Sequence, residues 1–99
     1  AFLAESQLAD TSVQHTLSPS ASKDAGQGGR NTTSVKDCGE LLSRIYKGEC
    51  VSKEASEAML NLLLNQQVTT KIPSGISASV EIANKTGETD TDQHDSAIV

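Results

Sequence analysis

A chain of 99 residues can bury only a limited surface, and an apolar content of 35% that includes just two aromatics, Phe2 and Tyr46, leaves Leu, Ile, Val and Ala as the core candidates. A net charge of −5, with acids gathered after Glu81 and no basic patch, argues against nucleic acid or an anionic membrane as the partner. The longest apolar run, Met59 to Leu64 broken by Asn61, is too short to span a bilayer.

The chain opens without an initiator Met or a leader-like segment, as if entered midway. Residues 1–9 are good helix formers with no cap before them, which predicts the end of a helix. From Ser18 to Asn31 the composition turns to Ser, Gly and single charges around Pro19, Gly26, Gly28 and Gly29, so 18–31 reads as a long, flexible surface loop.

The clearest helix runs from Ser34 to Lys47, where Val35, Cys38, Leu41, Leu42, Ile45 and Tyr46 recur on one face. Ser34 followed by Asp37 resembles a capping box, and Gly48 stands where a left-handed cap belongs. Ser52 is placed to cap a second helix, Lys53 to about Gln66, with Ala55, Ala58, Met59, Leu62 and Leu63 inward. The short Gly48-Glu49-Cys50-Val51 connection makes the pair an αα-hairpin. Cys38 lies early in the first helix and Cys50 just beyond its end; about nine helical residues span roughly 13 Å, beyond the ~7 Å Cα limit of a disulfide, which favours free thiols.

After Pro73 and Gly75 the pattern becomes period two: Val80 and Ile82 alternate with Glu81 and Ala83, predicting a strand to about Thr86. A polar turn, Glu88 to Gln93, leads to a second strand, Asp95 to Val99, giving an antiparallel β-hairpin. Two strands need further partners to bury their faces. The fold class is therefore α/β, of the α+β kind, and incomplete.

The order helix, helix, strand ending Ile82-Ala83-Asn84-Lys85-Thr86-Gly87-Glu88, then Asp95-Ser96-Ala97-Ile98-Val99, resembles the class A β-lactamase and penicillin-binding serine hydrolase superfamily, whose signatures are S-x-x-K, S-D-N and K-T-G. Arg30-Asn31-Thr32-Thr33-Ser34 resembles the exit of that family's Ω-loop, Ala1-Phe2-Leu3 the helix after its S-D-N loop, and Asp10 to Val13 the approach to the Ω-loop. The resemblance covers residues 1–99 as part of one catalytic domain, less than half of a family member. It implies a substrate-binding strand: Lys85 sets positive potential, Thr86 donates to a substrate carboxylate, Gly87 lets substrate lie close, and the Glu88 N–H forms half of an oxyanion hole.

No S-D-N occurs, and the sole S-x-x-K, Ser20-Ala21-Ser22-Lys23, follows a proline in loop text, where it lacks the helical face on which a lysine could take the serine proton. No catalytic residue is therefore assigned within this chain. Where the family carries its Ω-loop glutamate, counting back from Arg30 reaches Ser18, before Pro19, and a serine cannot act as a carboxylate base. His15 and His94 are isolated and read as solvated, so no metal and no cofactor is expected. Asp90, Asp92 and Asp95 lack the glycine and distal glutamate of a calcium loop and read as a solvated turn. Asn31-Thr32-Thr33 and Asn84-Lys85-Thr86 match glycosylation sequons, but a glycan on Asn84 would block the cleft.

The resemblance implies an exported, monomeric hydrolase of the extracellular space or cell envelope that attacks a β-lactam or peptidoglycan-like substrate through an acyl-serine, this chain alone being inactive. Two alternatives are a penicillin-binding or sensor module that stays acylated, suggested by Ser18, and a small non-enzymatic helical interaction protein.

Overall fold

The computed structural model describes residues 2–14 and 30–99, which fall into two compact units, residues 1–38 and residues 39–99. The first begins with a single helical turn, α1 (Phe2–Glu5). It is shorter than the helix predicted over 1–9 because the backbone reverses at Gln7, whose φ is +58°. There the Leu8 N–H reaches the Leu3 carbonyl (3.2 Å) and the Gln7 N–H reaches Ala4 (3.2 Å), the paired bonds of a Schellman cap. The reversal lets Leu8 bury all but 4% of its surface, and that burial outweighs the local helix preference.

Ser12 and Thr32 then pair as an isolated antiparallel bridge, with reciprocal N–H to carbonyl bonds of 2.8 and 2.9 Å. Thr11 Oγ1 meets Thr33 Oγ1 at 2.9 Å, and Asn31 Oδ1 accepts the Gln14 N–H. The chain on either side of the predicted loop is thus joined at a neck. Most of the loop, with Ser18 and the Ser20-Lys23 motif, lies outside the described residues.

Helix α2 (Val35–Lys47) starts as predicted at Ser34, whose hydroxyl accepts the Asp37 N–H at 3.0 Å. The box is only half made. The buried Asp37 carboxylate turns to the neck, accepting the Asp10 N–H (2.9 Å) and the Thr11 hydroxyl (2.7 Å). Val35 and Tyr46, assigned to the apolar face, are 92% and 67% exposed; Ile45 is the residue of that face that is buried.

In the second unit, Gly48 at φ +77° closes α2 with another Schellman pair, Gly48 N–H to Ile45 and Glu49 N–H to Arg44. Gly48 to Ser52 lead into α3 (Lys53–Leu64), which ends two residues earlier than predicted. Ser52 caps it, accepting the Ala55 N–H at 3.0 Å. Its wholly buried residue is Ser56 rather than one of the predicted apolar positions, and Leu62 is 73% exposed. The Ser56 hydroxyl accepts the Cys50 N–H (2.9 Å) and donates to the Cys50 carbonyl (3.0 Å), fixing the interhelical turn from both sides. Both thiols are free.

A 3-10 turn (Ile72–Gly75), with Pro73 near its start, precedes the sheet. Strand β1 (Ala83–Glu88) pairs antiparallel with β2 (Gln93–Ile98) in the register Ala83 opposite Ile98 through Glu88 opposite Gln93. The strand begins later than the predicted Val80, because Val80 closes a turn on the Ser77 carbonyl (3.0 Å). It also continues through Glu88, which the sequence reading had placed in the turn. Thr89 to Asp92 form the connection, held by the Thr89 N–H to Asp92 carbonyl bond and by Thr89 Oγ1, which accepts the Asp92 N–H. α3 packs on β1, and β2 touches the 3-10 turn. Helices with a small antiparallel sheet make the described structure α+β.

Candidate functional site

Side chains alternate along a strand, so Asn84, Thr86 and Glu88 leave β1 on one face, and Ala83, Lys85 and Gly87 on the other. Burial falls along the strand rather than dividing cleanly by face: Ala83 and Asn84 at its start are buried, Thr86 is half-buried, and Lys85, Gly87 and Glu88 are exposed. Lys85 bends its ammonium onto the Thr86 carbonyl at 2.5 Å. Gly87 has no positive φ, and a Cβ added to it would meet nothing within 4 Å, so the backbone there does not itself require glycine. Lys85, Thr86, Gly87 and Glu88 lie opposite Ser96, Asp95, His94 and Gln93.

The Asn84 face carries a polar network that the sequence reading missed. Asn84 Nδ2 donates to Asp95 Oδ1 (3.1 Å) and to the Val68 carbonyl (3.2 Å), while its Oδ1 accepts from Gln66 Nε2. Asp95 Oδ2 accepts the Ile72 N–H at 3.0 Å. At the far end of the strand, Lys71 pairs with Glu88 at 2.5 Å. Asp95 therefore belongs to β2 as a half-buried acceptor and not to a solvated turn, a correction. Asn84, matched as a sequon, has no exposed surface for a glycan. Its one sequence signal was a polar residue following Ile82-Ala83 in a strand pattern. The polar partners, 11 to 18 residues distant, gave no signal.

Beside the start of β1 a pocket of about 330 Å³ is lined by Leu64, Pro73, Ile76, Val80, Ile82 and Asn84. Val80 and Ile82 thus wall a pocket instead of forming one face of a strand. His94 is exposed on β2, and no cluster of three His, Cys, Asp or Glu side chains able to hold a metal occurs among the described residues. Nor is any helix among them long and apolar enough to cross a membrane.

The family model of the β-lactamase enzyme family matches residues 1–99, the full length of the chain. The chain belongs to the β-lactamase enzyme family. Among curated proteins and among solved structures, no match was found. Membership brings with it the serine β-lactamase and penicillin-binding superfamily, and hydrolase chemistry by family. Lys85-Thr86-Gly87 places a cation, a hydroxyl and a residue without a side chain in sequence along β1.

Proposed function

We propose that this chain supplies the substrate-recognition strand of a class A-like serine β-lactamase-type hydrolase, as part of a single catalytic domain whose nucleophile is not among these 99 residues. Lys85 provides positive potential, the Thr86 hydroxyl donates to the carboxylate of a β-lactam or related acyl-amide, and the Glu88 N–H serves as one oxyanion donor. The observation that most supports this reading is Gly87: its backbone needs no glycine and its surroundings are open, which leaves room for a ligand to lie against the strand. Export to the cell envelope goes with this substrate class.

The test compares benzylpenicillin with its methyl ester, which lacks the carboxylate, by following the amide signals of Lys85 to Glu88. The free acid is expected to bind in preference to the ester. Gly87→Ala is expected to weaken binding about tenfold while changing stability by less than ~0.5 kcal/mol, as an open exposed position allows. Equal binding of acid and ester would remove the assignment. A second reading, a module that acylates and deacylates slowly, is favoured by Ser18 at the position of the family's Ω-loop glutamate; rapid deacylation by a protein containing this chain and its serine would exclude it.

A further inference from the structure

The segment from Gln66 to Ile72 is fastened to β1 at both ends of Lys85-Thr86-Gly87. Gln66 and the Val68 carbonyl hold Asn84 on one side of the tripeptide, and Lys71 holds Glu88 on the other. Between them Asp95 ties Asn84 to the Ile72 N–H, so strand, neighbouring strand and segment meet at one amide. We infer that Asn84 is a positioning residue, setting the strand so that the Lys85 ammonium and Thr86 hydroxyl converge on an anionic substrate group. This rests on the reading of that strand as a carboxylate-recognising edge.

Only an amide serves all these partners. The Asp95 carboxylate and the Val68 carbonyl can only accept, so both must face the NH₂, while Gln66 Nε2 must face the oxygen. A leucine of similar volume would strand those buried groups without partners. An aspartate would set a second carboxylate against Asp95. Lys85 and Thr86 leave the strand on opposite faces and can meet a common ligand only around its edge. Their convergence therefore depends on the twist and register of the backbone between them. Asn84 is the immediately preceding residue, wholly buried and hydrogen-bonded through both its oxygen and its nitrogen.

The test uses the full chain, isotopically labelled, titrated with benzylpenicillin at about pH 7.5 and about pH 5. Two carboxylates in contact take up one proton between them in mildly acidic solution. Asn84→Asp is accordingly expected to bind about tenfold more weakly than wild type at the higher pH and to recover part of that loss at the lower one, as one proton removes the repulsion and restores a donor toward Asp95 though not toward the Val68 carbonyl. Asn84→Ala loses the donor without gaining a charge and is expected to be weak at both. Asp95 is the ionisable group bonded to Asn84. Lys71 and Glu88 pair four residues along, and Lys53, Glu54 and Glu57 on the packed α3 are exposed. Lys85 and His94 stand on the opposite faces of their strands, and all of these are common to every variant, so wild type supplies the background pH profile. Amide signals of α2 and α3 report whether the fold is kept. An Asn84→Asp profile parallel to wild type overturns the inference alone; equal binding of acid and ester by wild type removes the recognition reading and the inference with it.

Discussion

Ser56 and Val51 show how much single residues carry in the turn between α2 and α3. Val51 adopts φ +67°, costly for a β-branched side chain, while the Ser52 N–H bonds to the Cys50 carbonyl two residues back. That strained geometry is held by the Ser56 hydroxyl, which satisfies both backbone groups of buried Cys50. Ser56→Ala leaves them without this partner, and the expected loss is about 1–3 kcal/mol, read as a lowered urea midpoint at unchanged slope. A shift smaller than ~0.5 kcal/mol would mean that water replaces the hydroxyl fully. The caps at Ser34, Gly48 and Ser52 were legible in the sequence because each acts on backbone within a few residues. Ser56, Asn84 and Asp95 were not, because what makes them structural is burial, and pattern reading assigns buried positions to apolar side chains.

Among elements, α2 and α3 were read more accurately than the strands, while α1 was read too long. α2 and α3 carry start and stop signals of their own, whereas the ends of β1 are set by a turn at Ser77 to Val80 and by pairing across to Gln93, neither of which hydrophobic alternation encodes. The Lys85-Thr86-Gly87 tripeptide was singled out by its resemblance to a family signature; the segment that braces it was invisible until residues 66–72 and 84–95 were brought together. In the first unit the analogous brace is Asp37, which leaves the expected capping box to hold Asp10 and Thr11. Asp37→Ala is expected to loosen the neck, with faster tryptic cleavage after exposed Arg30 and a stability loss of about 1–3 kcal/mol. Asp37→Asn, which keeps one acceptor oxygen, should fall between. Unchanged cleavage in both would show that the Ser12–Thr32 bridge suffices.

For the molecule as a whole, recognition and catalysis separate on the proposed reading. A strand proposed to orient an acyl substrate through Lys85 and Thr86 still leaves bond cleavage to a nucleophile aligned with a proton acceptor. The 99-residue chain is therefore expected to show no nitrocefin opening above background and no covalent labelling by fluorescent penicillin. Labelling at Ser20 would instead assign the nucleophile to the segment between the neck residues. Family membership over the whole chain makes the activity of a protein containing it a hydrolase question, and the division of labour within such a protein is what these two assays separate.

The neck at Ser12 and Thr32 also has an evolutionary meaning. Once two backbone bonds and the Asp37 carboxylate fasten the ends, the cost of closing the intervening chain grows only slowly, by about 0.6 kcal/mol for each doubling of its length. Insertions or deletions inside that closure therefore change its entropic cost only slightly. Selection can then vary the number of residues between Ser12 and Thr32 while the clasp that joins them is left alone.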